Sequence, residues 1–157
     1  MTAERKTYML DTNVFNDVLD EKIPLTSFDG HRLVAIGVQA HELHATVDAN
    51  RRAALLAVFE DIGPTVALAS SFCFGIEGAG FDQANWNDGS GKFGRMLALL
   101  QQLDAQKRKK KERLNQVRDI LIAETAIKNG ATLISNDHNL RQVVSEFGGS
   151  ATDLCSF

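Results

Sequence analysis

Apolar positions along this chain fall into two alternating kinds of run. Thr7–Leu10, Leu33–Ile36, Thr65–Leu68 and Ala131–Ser135 are short, continuous and rich in branched residues, as buried strands are. Between them apolar residues return at helical spacing. This predicts helices over Val14–Leu19, Gln39–Val47, Arg51–Ile62, the stretch from Phe93 to Leu103, the pattern Leu114, Val117, Leu121 and Ile122, and Leu140–Phe147. Thr12 or Asn13 is the expected cap of the first helix and Asn50 that of the third. Ile23-Pro24, Asp29-Gly30, Gly63-Pro64 and Asn129-Gly130 punctuate the elements, and Gly148-Gly149 leads into a short tail.

Strands alternating with helices predict a three-layer α/β/α domain around a mainly parallel sheet. The 157 residues fit one domain, 1–157, with no repeat and no second boundary. Its least regular part is 70–112. There Phe72, Phe74, Phe81 and Trp86 lie among glycines in a loop or hairpin, and a basic helical region follows.

Two of the predicted strands, Thr7–Leu10 and Ala131–Ser135, are each followed within two residues by an aspartate, Asp11 and Asp137. If those strands are parallel neighbours, both acids emerge at one sheet edge, where ligands of open parallel sheets bind. Glu42 starts near the same edge, early in the helix after Leu33–Ile36. Asp119 sits in a largely apolar helical segment, where a carboxylate is costly unless paired, hydrogen-bonded or metal-bound. Taken singly, each acid has a plainer use: Asp11 and Asp137 as helix caps, Glu42 and Asp119 as surface charges. Taken together, four acids at one edge repel one another and require cations. The natural cations are Mg²⁺ or Mn²⁺, one ion or two, which take carboxylate oxygens and activate water for attack on a phosphodiester.

Leu10-Asp11-Thr12-Asn13, the mid-chain Glu42, the run from Arg118-Asp119 to Thr125-Ala126, and Leu133-Ile134-Ser135-Asn136-Asp137 resemble the four acidic motifs of PIN-domain nucleases. Many of these are the VapC-like ribonuclease toxins of bacterial toxin–antitoxin pairs. The resemblance spans nearly the whole chain, with the motifs in the family's order, although the 70–91 stretch is longer than in compact toxins of that family. It implies a PIN-like fold and a Mg²⁺- or Mn²⁺-dependent endoribonuclease. Asp11, Glu42, Asp119 and Asp137 would be metal ligands, and Thr12, Asn13 and Ser135 would orient ligands or substrate. It further implies RNA as substrate, with a cognate antitoxin and a homodimer as partners. Asn115, one helical turn before Asp119, is expected on the same face as that acid.

Charge sharpens this picture. The net charge is −3, yet nine of the 17 basic residues and two of the 20 acidic ones fall between Lys92 and Arg118. The run Lys107, Arg108, Lys109, Lys110 and Lys111 is placed to hold an RNA backbone beside the acids. Alternatively it docks an acidic partner or is simply a solvated helix surface. Trp86 and the phenylalanines either stack bases or pack in the core.

No apolar run approaches the roughly 20 residues that span a bilayer. The polar start Met1–Lys6 is unlike a secretion signal, and Cys73 and Cys155 show no metal or redox spacing and are expected to be packed. A cytoplasmic setting without a membrane partner follows. His41-Glu42-Leu43-His44 lacks the four-residue histidine spacing of a zinc protease helix, and no phosphate-binding glycine loop is present. Two other functions fit the same residues: a catalytically silent PIN-like domain that binds RNA or protein, and a small metal-dependent phosphatase.

Overall fold

The computed structural model describes residues 5–69, 89–107 and 111–157. In order these form β1 (Thr7–Leu10), α1 (Thr12–Leu19), a 3-10 turn (Leu25–Phe28), β2 (Arg32–Ile36), α2 (Gly37–His44), α3 (Ala49–Ile62) and β3 (Thr65–Ala67). There follow α4 (Lys92–Asp104), α5 (Arg113–Lys128), β4 (Thr132–Ile134), α6 (His138–Glu146) and β5 (Ser150–Thr152). The stretch 70–88, with Phe72, Cys73, Phe74, Phe81 and Trp86, lies outside the described residues, as do Arg108, Lys109 and Lys110.

The five strands form one sheet in the order β3-β2-β1-β4-β5, every neighbouring pair parallel. Parallel neighbours need crossovers, and helices in those crossovers cover both faces. Strand alternation then separates two cores. Met9, Val34 and Leu133 face the side packed by α4, α5 and α6, through Met96, Leu100, Ile120 and Val143. Leu10, Leu33 and Ile134 face the side packed by α1 and α3, through Phe15, Val18 and Leu55. The expected three-layer α/β architecture is therefore the one found.

The chain adds β2 and β3 on one side of β1, and β4 and β5 on the other. The winding thus reverses between β1 and β4, and beyond the carboxyl ends of those strands a crevice is unavoidable. Leu10 pairs with Ile134, and the Asp11 N–H continues the ladder to the Ile134 carbonyl at 2.9 Å. Asp11 and Ser135 consequently leave the sheet side by side.

Four local expectations are corrected. α1 is capped by Asp11 itself, which accepts from the Thr12 N–H at 2.8 Å, and not by Thr12 or Asn13. Three cap-forming residues stand in a row, and the one still in extended geometry takes the role. Likewise Asp48, accepting from the Arg51 N–H at 2.7 Å, caps α3 in place of Asn50. The tail after Gly148-Gly149 is a fifth strand; its short polar core, Ser150 and Thr152 around Ala151, gives no apolar run to detect. Gly149 itself is enforced by packing, since a Cβ there would come within 2.7 Å of Ile127 and Val144 side chains. Cys155 is exposed rather than packed. Among the described residues no helix is long and apolar enough to cross a membrane.

Candidate active site

Each of the four acids is set by a different element at the carboxyl edge of the sheet. Asp11 ends β1 and is 4% exposed. Its Oδ1 accepts from the Thr12 N–H, and its Oδ2 accepts from Ser135 Oγ at 2.8 Å. Asp137 caps α6, its Oδ1 accepting from the N–H groups of Asn139 at 3.0 Å and Leu140 at 3.3 Å. Ser135 joins the two: the hydroxyl that donates to Asp11 also accepts from the Asp137 N–H at 3.1 Å. Glu42 stands on α2 and takes a hydrogen bond from Thr12 Oγ1 at 3.0 Å. Asp119, 7% exposed, enters from α5 at the start of a run buried without interruption to Ala126.

Lys111 lies between two of them. Lys111 Nζ donates to Asp119 Oδ2, and to Asp137 Oδ2 at 3.2 Å. Burial pushes the Asp119 carboxyl well above its ordinary 3.8, helped by the Asp11 and Glu42 charges and opposed by Lys111. Burial likewise raises Asp11, against the Ser135 hydroxyl and Lys111. It raises Glu42 too, with Asp11 adding to the effect and Thr12, Arg118 and Lys111 opposing. For Asp137 burial acts upward but is outweighed by Lys111, the Leu140 N–H and Lys107, so this carboxyl lies below 3.8. The Lys111 ammonium is pushed down by burial, yet the two aspartates more than compensate and hold it above 10.5. All four carboxylates therefore share the field of one lysine, which places them in a single electrostatic cluster.

The remaining predicted positions divide. Thr12 and Ser135 touch the acids directly. Asn13 is exposed at the start of α1. Asn115 accepts from Arg118 Nη1 at 3.4 Å and so reaches the cluster only through the Arg118 charge near Glu42. Lys107 Nζ lies 3.5 Å from Asp137 Oδ1 and 3.3 Å from Asp104 Oδ1. Of the basic run, Lys107 and Lys111 thus face carboxylates.

Two supporting residues carry no motif signal. Gln39 is 0% exposed; its Oε1 accepts from the Ile36 N–H at 2.7 Å and its Nε2 donates to the Leu10 carbonyl at 3.0 Å. One side chain thereby fixes the start of α2, and with it Glu42, to the residue before Asp11. Asp104 is 2% exposed and accepts from Gln116 Nε2 at 2.9 Å and Asn139 Nδ2 at 2.8 Å, tying α4 to the helices that carry Asp119 and Asp137. Gln39 stands at the third position of α2, where its amide closes a capping box on Ile36, and Asp104 at the last position of α4. Arg118 Nε is buried without a hydrogen-bond partner among the described residues.

An oxygen-only set of carboxylates suits a hard divalent ion such as Mg²⁺ or Mn²⁺, and the ammonium already drawn there marks the preferred position of positive charge. In this arrangement no three of the described acids, histidines and cysteines converge closely enough to hold an ion. Asp119 and Asp137 close on Lys111, while Asp11 and Glu42 are joined through Thr12.

Fold and site define an open, doubly wound α/β domain with its acidic chemistry at the topological switch point. The structure is similar to that of VapBC2 from Rickettsia felis bound to a DNA fragment from their promoter. The likeness covers 94% of this chain and 98% of that chain, at 17% identity and TM-score 0.46. It is also similar to VapBC-5, a member of the VapBC family of toxin–antitoxin systems from Mycobacterium tuberculosis. Here 94% of this chain and 96% of that chain are covered, at 22% identity and TM-score 0.44. No protein-family model and no curated protein matches the chain.

Proposed function

We propose that this chain is a Mg²⁺- or Mn²⁺-dependent endoribonuclease that hydrolyses RNA phosphodiester bonds, acting as the toxin of a toxin–antitoxin pair. The observation that carries the enzymatic reading is the gathering of Asp11, Glu42, Asp119 and Asp137, from four separate elements, into one carboxylate cluster. Burying several acids together costs stability unless cations offset their charge, which a bound divalent ion would do. The toxin role rests on the PIN-like motifs of the sequence. An antitoxin and a homodimer are the protein partners it entails.

The four acids would hold the ion, which when bound lowers the pKa of a water and neutralises charge on the phosphate under attack. The chain does the positioning. Ser135 sets the angle between Asp11 and Asp137, Thr12 that between Asp11 and Glu42, and Gln39 the distance between β1 and α2. Lys107, partly exposed beside Asp137, supplies positive charge for the neighbouring backbone phosphates.

A second reading, a PIN-like domain that binds RNA or protein without cutting, is favoured by the lysine seated among the acids. The test is incubation of purified protein with RNA and with a simple phosphate monoester, each with Mn²⁺ and with chelator. Cleavage of RNA alone, abolished by chelator, supports the proposal. Monoester hydrolysis alone indicates a phosphatase, and cleavage of neither supports the silent domain.

A further inference from the structure

The charge at the centre of the site belongs to the chain itself, and this has consequences for how the proposed metal site fills; the inference rests on the metal-dependent reading above. We propose that Lys111 is a positioning residue whose ammonium holds Asp119 and Asp137 in the metal-free protein and has to withdraw before a divalent ion is bound.

Lys111 spends its hydrogen bonds on Asp119 Oδ2 and Asp137 Oδ2. Those are oxygens that an ion between the same two carboxylates would need. An ammonium and a divalent ion at the same oxygens repel strongly in a half-buried setting, so occupancy by one excludes the other. The side chain is suited to exchange. It enters from the connection between α4 and α5 rather than from a core element, and 27% of it is exposed, so water is available to its head when it leaves. Lysine meets these needs as a compact point charge with three rotatable donors on a flexible stem.

Removing it has two opposed effects. Without Lys111, Asp119 loses the cation that offsets its burial and its repulsion from Asp11 and Glu42, and Asp137 loses the charge that most opposes its burial. The metal-free fold is then weaker. At the same time the competitor for the ion is gone. Apparent affinity is reduced by the fraction of molecules whose site is free, so a lysine in place about nine-tenths of the time weakens binding roughly tenfold.

The experiment compares the full chain with Lys111→Met, Lys111→Gln and Lys111→Arg, using calorimetric titration with Mn²⁺ and thermal unfolding in chelator. Met and Gln are expected to bind Mn²⁺ about tenfold more tightly than wild type and to unfold at lower temperature without metal. Arg, which keeps the charge, stays near wild type in both. Gln serves if Met does not fold. Should wild type bind Mn²⁺ while Met and Gln bind equally or more weakly, the exchange is refuted and the metal site stands. Should none of them bind Mn²⁺, or should binding survive in Asp119→Asn, the metal-dependent reading falls and the exchange with it.

Discussion

Replacing Ser135 by alanine removes a single oxygen from a fully buried position and disturbs two acids at once. Its hydroxyl donates to Asp11 Oδ2 at 2.8 Å and accepts from the Asp137 N–H at 3.1 Å. A bond to a charged group contributes about 1.5–3 kcal/mol and a neutral one about 1, so the loss is roughly 2–4 kcal/mol. At about 2–4 °C per kcal/mol for a chain of this size, the metal-free protein should melt on the order of 10 °C lower. The larger consequence is aim. Partners behind metal ligands typically govern affinity by about 10–100-fold, or roughly 1.4–2.7 kcal/mol. Mn²⁺ affinity should therefore fall within that range in Ser135→Ala and recover in Ser135→Thr, which restores the hydroxyl. Thermal unfolding in chelator and calorimetric titration read the two effects separately. A melting temperature within about 1 °C of wild type, with affinity within about twofold, would refute the role given to this oxygen.

Further expectations concern charge and support. Asp11, Glu42 and Asp119 have folded pKa values above their unfolded ones, so the folded state holds more protons. Their stabilising contribution is complete below about pH 4 and is lost as pH rises through the raised values. The metal-free protein should thus lose stability from weakly acidic towards neutral pH, Asp119→Asn should flatten that slope, and a slope unchanged by Asp119→Asn would contradict the assignment. Asp137 works in the opposite direction: its lowered pKa adds stability above 3.8 that is lost as pH falls through the folded value. Gln39→Ala leaves the buried Leu10 carbonyl and Ile36 N–H without their partner, a cost of roughly 2–4 kcal/mol. Denaturant unfolding should show that loss, and a cost under about 0.5 kcal/mol would show that water replaces the amide.

Much of this architecture is legible in the chain because the strands announce themselves twice. Leu33–Ile36 and Ala131–Ser135 are apolar on both faces, as strands covered by helices on both sides must be, and each is followed by a helix pattern. The acids are legible for the same reason: Asp11 ends one such run, Asp137 follows another after Ser135 and Asn136, and Asp119 interrupts an apolar helix. β5 was hidden because an edge strand of three residues, two of them polar, needs no hydrophobic run; its pairing comes from the β4 edge. The α5 pattern was only half visible, since residues Asp119 to Ala126 are buried on every side while Leu114 is exposed. Periodicity marks a helix with one dry face and fails for one dry all round. Gln39 and Asp104 are not legible, because nothing in a single sequence distinguishes a buried, fully bonded amide or carboxylate from a solvated one. Lys111 was legible as a basic residue for an RNA backbone but not as a partner of the acids; among the described residues of that run, the structure sets both Lys107 and Lys111 against carboxylates, with Lys111 between Asp119 and Asp137.

The metal-dependent nuclease assignment stands or falls on RNA cleavage. Wild type, Asp11→Asn and Asp119→Asn should be compared with a structured RNA in Mn²⁺, with circular dichroism confirming the fold of each. Wild type is predicted to cleave internally, with both variants folded and slower by several orders of magnitude. Cleavage by both variants at the wild-type rate, or none by wild type with Mg²⁺ or Mn²⁺ bound, would contradict it.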